Sequence, residues 1–331
     1  MNIVKVAIDA MGGDNAPISP VKSCYFIKNE DNLKIFLIGS KEKINRLIKG
    51  KMDFIEIIDC DDFVSMNEKV STTLLKRNTS MRIAINLLKE KKVDFSLSAG
   101  NTSAFVSYAI SELGMIEGID RPSIAVLFPN ITGGVTIFID AGANINPKPI
   151  HLFQSAFLGS LYSQIVFNIE KPKIALLNVG EEETKGDELR KQTYKLLKEE
   201  KRINFIGNIE GHEIFSGKAD VIITDGFTGN VVLKTSEGIT RSFRTILMQE
   251  IRKNLIGKFG LLLISKNLRN FSKKADYSEY GGGVLLGVNG NVIISHGRSS
   301  PRAIYNAIKL GEKIVKSNLI EKIKETKWEL Q

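Results

Sequence analysis

The sequence predicts an α/β fold, a three-layer α/β/α sandwich around a largely parallel sheet, and three observations carry that expectation. Short apolar runs rich in Val and Ile recur along the 331 residues and alternate with amphipathic stretches, the pattern of repeated strand–helix units. Many central runs are apolar throughout, which suits strands covered on both faces. A content of 43% hydrophobic and 25% charged residues is that of a globular chain with a substantial core. No tandem repeat, low-complexity tract or Pro/Ser-rich linker divides the chain, so we read residues 1–331 as a single domain.

In chain order, the strand-like runs are VKVAID (4–9), LKIFLIG (33–39), FIEIID (54–59), DFSLSAG (94–100), SIAVLF (123–128), VTIFID (135–140), KIALLNVG (173–180), NFIG (204–207), DVIITDG (220–226) and NVIISHG (291–297). Residues 41–49, 80–90, 102–113, 151–168 and 187–198 supply amphipathic helices between several of them. The strands share a manner of ending. SLSAGNT, FIDAGAN, LLNVGEEETKG, FIGNIEG, ITDGFTGN and ISHGRSS all leave a strand into Gly with Asn, Asp, Ser, Thr or His, and AIDAMGGDNAP makes a seventh. Taken alone, AIDAMGGDNAP also reads as a plain Gly-Gly turn before a helix cap and proline. In open parallel sheets, however, ligands bind beyond the carboxyl ends of strands, where glycines expose backbone N–H groups and helix N-termini add positive charge. The set therefore reads as one anion-holding cleft. Its binding residues would be Asp9, Gly12, Gly13, Asp14, Ser98, Gly100, Asn101, Thr102, Asp140, Asn144, Gly180, Asn208, Asp225, Gly226, Gly229 and Gly297. On that reading Gly13→Val should raise the phosphate requirement, because a Cβ would block backbone approach.

The motif inventory excludes more than it includes. No Walker loop, no G-x-G-x-x-G after a strand and no G-x-S-x-G elbow occurs, and the three histidines have no metal-ligand spacing. Cofactor-free chemistry on a small anion is the reading that remains, with no metal. His296 sits at a strand end beside Gly297 and Arg298, where it could act as acid, base or oxyanion donor. Lys185 and Lys234 could neutralise phosphate, and Asn230 could donate an amide hydrogen bond to an oxyanion. We take Lys185, His296 and Asn230 as the catalytic candidates. His151 and His212 read as packing or surface residues, and Arg121 as a structural partner for a carboxylate. Cys24 and Cys60 are too few and too far apart for a disulfide framework, and Lys5 inside the first run rules out a signal-peptide layout, so a cytoplasmic protein is expected.

The net charge of +9 is concentrated. Within residues 241–275 nine basic side chains, from Arg241 to Lys274, face a single acidic one, Glu250. This stretch reads as two helical arms around 257–260 with an apolar tip that includes Leu261, Leu262 and Leu263. Apolar tips flanked by Lys and Arg suit an anionic membrane surface, and helical apolar spacing equally suits a dimer interface. An acidic carrier protein is a third partner such charge could recruit.

Read together, AIDAMGGDNAP, SAGNTSA, IDRPS, DAGANINPKP, LLNVGEEETKGDEL, NFIGNIEG, TDGFTGNVVLKTSEG, YGGGVLLG and SHGRSS resemble, in family order and over essentially the whole length, the PlsX family of acyl-ACP:phosphate acyltransferases of bacterial phospholipid synthesis. The resemblance implies transfer of a long-chain fatty acyl group from acyl carrier protein to inorganic phosphate, giving acyl phosphate and free carrier. It implies no nucleotide and no other cofactor, and a fold similar to the isocitrate and isopropylmalate dehydrogenases and phosphate acetyltransferases. The implied partners are acyl carrier protein, inorganic phosphate, a second copy of the chain, the inner face of the cell membrane and the downstream glycerol-3-phosphate acyltransferase, with no nucleic acid. The chain departs from the family pattern at Asn15, where histidine is common, at Ser103 for glycine, at Lys69 for proline and at Leu74 for arginine. Three rival readings stay open: a phosphate acetyltransferase using acetyl-CoA, a decarboxylating dehydrogenase, and a membrane scaffold without catalysis.

Overall fold

The computed structural model describes residues 3–27, 32–253, 259–261, 263–267, 281–326 and 328. Its strands are β1 (Val4–Asp9), β2 (Leu33–Gly39), β3 (Ile55–Asp59), β4 (Phe95–Ser98), β5 (Ser123–Pro129), β6 (Val135–Ile139), β7 (Lys173–Asn178), β8 (Asn204–Glu210), β9 (Val221–Ile223), β10 (Gly283–Leu286) and β11 (Asn291–Ile294). They form one sheet in the order β3-β2-β1-β4-β11-β10-β5-β6-β9-β7-β8. Among the described residues seven ladders are parallel and three antiparallel. The largely parallel sheet is therefore present, with one feature the sequence pattern does not show. β10 pairs antiparallel with both β11 and β5, and β5 pairs antiparallel with β6, so the two parallel halves point in opposite directions.

The reversal has a local cause. β5 and β6 are joined by a tight turn in which Asn130 N–H donates to the Gly134 carbonyl (3.1 Å) and the Asn130 side-chain oxygen accepts from Gly134 N–H (3.0 Å). So short a connection permits only antiparallel pairing, whereas a parallel crossover needs a dozen or more residues. β10, the strand missing from the sequence reading, is four buried residues inside YGGGVLLG with no alternation to mark it.

The helices are α1 (Ile18–Ser23), α2 (Lys41–Leu47), α3 (Thr72–Lys76), α4 (Ser80–Lys89), α5 (Thr102–Leu113), α6 (Pro149–Phe167), α7 (Glu188–Glu199), α8 (Gly226–Arg252), α9 (Pro301–Ser317) and α10 (Leu319–Lys324). Side chains alternate across β1: Val4, Val6 and Ile8 join one apolar layer with Phe153 of α6 and Ile304, Ile308 and Ile314 of α9. Ala7 joins the opposite layer with Met81, Ala84 and Ile85 of α4 and Phe105 of α5. Each such buried Leu, Ile or Phe stabilises the fold by about 1.5–3 kcal/mol. α9 shows the local logic of an element: the Ser300 hydroxyl accepts from Ala303 N–H (3.2 Å), Pro301 opens the first turn, and Asn318 ends the helix with φ 53°.

α8 behaves differently. Its 27 residues span about 40 Å; near its start Gly226 and Gly229 are buried and Val232 and Leu233 pack against the apolar layer. Every residue from 238 to 246 is exposed. The helix leaves the body of the molecule carrying Ile239, Phe243 and Ile246 in the open, each more than half exposed. The sequence reading placed a loop over 226–230, but Asp225 caps α8 by accepting Thr228 N–H at 2.8 Å, so those residues are its first turn.

Candidate active-site cavity

β1, β4 and β11 are neighbours and run parallel, so the three loops that follow them meet at one end of the first half-sheet. Backbone bonds tie them together: Asp14 N–H donates to Gly297 O (2.7 Å) and Ser295 N–H to Ser98 O (2.8 Å). Asp9 is the hub. Its oxygens accept the hydroxyls of Ser80 and Ser98, both at 2.7 Å, and Met11 N–H at 3.1 Å. Burial pushes its carboxyl above the ordinary value, against those hydrogen bonds.

Asn101 and Asp140 are equally occupied. The Asn101 side-chain oxygen caps α5 at Ala104 N–H (3.1 Å), while its amide nitrogen reaches the carbonyls of Ser65, Met66 and Glu68 at 3.4, 3.1 and 2.9 Å. Asp140 accepts backbone N–H groups of Ile124, Gly142, Ala143 and Asn144 at 2.7–3.0 Å. Burial raises its carboxyl as well, opposed by those four donors. The Asn144 amide is spent on the Pro122 carbonyl (2.6 Å) and on Asp140 (3.0 Å).

Between these loops and α8 lies a cavity of about 370 Å³, within the range of small-ligand sites. From the first half it is lined by Asp14, Met66, Gly100, Asn101, Thr102, Ser103, Ile294, Ser295, His296 and Gly297, and from the strands at the reversal by Ile124, Val126, Ala141, Gly142, Gly282 and Gly283. Asn230, Leu233, Lys234 and Glu237 complete it from α8, at the i, i+3, i+4, i+7 spacing of one helix face. Thr102 and Ser103 belong to the first turn of α5, whose N–H groups and dipole favour an anion. Lys234 has no ion-pair partner among the described residues and adds positive charge from α8. Ile124, Val126, Leu233, Ile294 and Met66 make an apolar wall. His296 faces the Glu237 carboxylate at 3.4 Å, and Asp14 pairs with Arg298 at 3.6 Å.

The expectation of one cleft shared by all seven loops is corrected by strand order: β7 and β8 lie at the far edge of the sheet, beyond β9, and the loops that follow them support one another there. The Asn178 amide donates to Lys185 O (3.1 Å), the Asn208 amide to Glu182 O (3.0 Å), and Asp225 accepts the Arg190 guanidinium (2.5 Å). Lys185 is exposed, and neither it nor Gly180, Asn208 or Asp225 lines the cavity.

Several glycines have another explanation than a bound anion. A Cβ on Gly13 (φ +99°) would sit 3.0 Å from Ala99 O and Gly297 O, and one on Gly229 would overlap Asp140 O. On Gly12 it would strike Asp9, and on Gly226 the Asn144 backbone. They are small because protein packs there, so Gly13→Val breaks a loop contact and does not report on phosphate.

Of the remaining candidates, His212 is exposed beside Glu210 (3.4 Å), and His151 is half-buried 3.9 Å from Asp120. Arg121 is exposed with no ion pair among the described residues. Leu74 packs in the core, and Arg77, one turn on, holds Asp62 and Glu68 below the Asn101 clasp. At the proposed membrane tip Leu263 is 72% exposed and Leu261 half-buried, and Leu262 lies outside the described residues, as do Lys258, Arg269, Lys273 and Lys274. The sequence reading missed Glu237, Leu233 and Met66. A helical periodicity from Asn230 through GNVVLKTSEG was the available signal.

A family model described as fatty acid synthesis protein matches residues 4–322. The phosphate acyltransferase of Thermodesulfovibrio yellowstonii is 44% identical over 327 residues, covering 98% of this chain and 94% of its own. That of Dictyoglomus turgidum is 46% identical over 326 residues, with 97% of both chains covered. The chain belongs to the phosphate acyltransferase family. Membership makes it an acyltransferase of fatty-acid and lipid synthesis. A branched-chain phosphotransacylase from Enterococcus faecalis shares the fold with a TM-score of 0.59 at 14% identity, over 94% of this chain and 99% of that one. A 4-hydroxythreonine-4-phosphate dehydrogenase from Klebsiella pneumoniae does so at 0.54 and 11% identity, over 95% and 100%. The expected α/β architecture, common to dehydrogenases and phosphate-dependent acyltransferases, is thereby established.

Proposed function

We propose that the protein transfers a long-chain acyl group from acyl carrier protein to inorganic phosphate, releasing acyl phosphate and free carrier. The two-sided cavity carries this reading: the α5 N-terminus and Lys234 offer an anion site, and the wall of Ile124, Val126, Leu233, Ile294 and Met66 faces an acyl thioester. Phosphate seated by α5 attacks the thioester carbonyl. Holding the two reactants together supplies several kcal/mol. A backbone or Asn230 donor to the tetrahedral oxyanion is worth about 3 kcal/mol. His296 stays beside the reaction centre, while the catalytic role first expected of Lys185 finds no support in its position outside the cavity.

The working form is a homodimer resting on the anionic inner face of the membrane. In support, α8 carries Ile239, Phe243 and Ile246 in the open, and Phe259 and Leu263 are exposed beside a basic stretch. The same charge would attract an acidic carrier protein, and acyl phosphate would pass to the glycerol-3-phosphate acyltransferase downstream.

Phosphate-dependent release of free carrier from palmitoyl-ACP, with hydroxylamine trapping of acyl phosphate, tests this reading. Turnover of acetyl-CoA without turnover of palmitoyl-ACP would replace it with a phosphate acetyltransferase. Failure of both substrates, with vesicle binding retained, would leave a scaffold.

A further inference from the structure

We infer that Glu237 carries the proton that acyl transfer moves, with His296 holding its carboxylate in place. This rests on the acyl-transfer reading above and names its acid–base group. Glu237 stands on the cavity face of α8, one turn beyond Lys234, with its side chain only 11% exposed. Oε2 lies 3.4 Å from His296 Nε2. Oε1 is buried and has no hydrogen-bond partner among the described residues.

His296 is held on its other side. Its Nδ1 accepts the Arg298 backbone N–H at 3.1 Å, so Nδ1 carries no proton and the ring proton sits on Nε2, facing Glu237. Nδ1 is thus engaged, and Nε2 faces the Glu237 carboxylate. The second carboxylate on the cavity, Asp14, is 47% exposed and already paired with Arg298. Among the described groups lining the cavity, Glu237 Oε1 is the buried proton acceptor still uncommitted. Its negative charge next to an anionic substrate is offset by Lys234 one turn earlier and by the α5 N-terminus across the cavity.

The reaction needs one proton moved. A phosphate hydroxyl oxygen forms a C–O bond to the thioester carbonyl carbon, the C–S bond breaks, and the hydroxyl proton ends on the departing sulfur. The Glu237 carboxylate takes that proton as the phosphate oxygen attacks, then returns it as a carboxylic acid to the thiolate. Products are acyl phosphate and thiol, Glu237 finishes as it began, and no other reactant is required.

The test measures phosphate-dependent carrier release from palmitoyl-ACP by the full chain. Glu237→Gln, which keeps the shape and cannot take a proton, should lower kcat about 100-fold while the phosphate KM moves less than about threefold. Glu237→Asp should recover part of the rate, and His296→Gln, a positioning loss, should cost about tenfold. A Glu237→Gln kcat within threefold of wild type overturns the inference. So does His296→Gln being the more damaging of the two variants. Absence of phosphate-dependent release by the unaltered protein would overturn the acyl-transfer reading itself, and it is seen before any variant is made.

Discussion

Asn101 illustrates how much one side chain here is asked to hold. It caps α5 with its oxygen and clasps the 65–68 segment over the cavity with its amide. Asn101→Ala should cost about 1 kcal/mol from the cap alone and free the segment that places Met66 over Gly297. Asn101→Asp keeps the cap and loses the clasp, so a raised KM at near-normal melting temperature in that variant isolates the clasp. Lys234→Gln should raise the phosphate KM about tenfold with little change in melting, since a charge-assisted contact to an anion is worth roughly 1.5–3 kcal/mol. Asp225 gives a pH prediction. Burial raises its carboxyl, but the Thr228 N–H and hydroxyl and the Arg190 guanidinium outweigh burial and leave the pKa below the ordinary value. From about pH 5 upward the carboxylate is charged in folded and unfolded chains alike, so its stabilisation is fully present there and is lost as pH falls through the folded pKa. Melting followed downward through this window should show a steeper acid loss than Asp225→Asn shows, and equal slopes would refute the role.

At the scale of the element, the two halves of α8 differ. Its first turns line the cavity, and its second half stands free of the globule with basic and apolar side chains exposed. Gly229 lets the cavity-lining half start against the Asp140 carbonyl. Gly229→Ala should destabilise the protein by about 1–3 kcal/mol, because backbone must move to admit the Cβ. Thermal melting measures that loss, and a melting temperature unchanged from wild type would show that α8 can shift at no cost. If the proposed membrane contact holds beyond the end of α8, Leu261→Ser with Leu263→Ser should weaken binding to anionic vesicles while sparing soluble turnover. If turnover and dimerisation are lost together, the tip is an interface between copies and not a membrane contact.

For the whole molecule, the reversal of the sheet decides where chemistry can occur. The β5–β6 hairpin and β10 put the loop ends of the first half and the Asp140 loop of the second on either side of one hollow, which α8 then roofs. Because Arg241, Arg244, Arg252, Lys253 and Lys266 are all exposed, any vesicle association of the proposed kind should fall steeply between low and physiological salt, where the screening length shortens to about 8 Å. Turnover of a soluble substrate should respond far less, and equal salt sensitivity of both would argue that these basic residues serve catalysis.

How much was legible in the sequence follows from what each feature depends on. Strands β1 to β9 and β11, the amphipathic helices and the loops of the first half could be read from residues alone, because period, glycine and cap chemistry are local. β10 escaped because four apolar residues carry no period. Lys185 was misplaced because its loop looks like the others, and strand order across the sheet is set by pairings between residues far apart in the chain. Glu237 and Met66 escaped for the same reason: one comes to the cavity on a helix from the far half of the sheet, the other on a segment held by Asn101. By itself the sequence determined the fold class, the family and the chemistry of the turns. The tertiary structure alone decided which turns share a cavity, since hydrogen-bond pairing across the sheet, and not local propensity, fixes which ends of which strands meet.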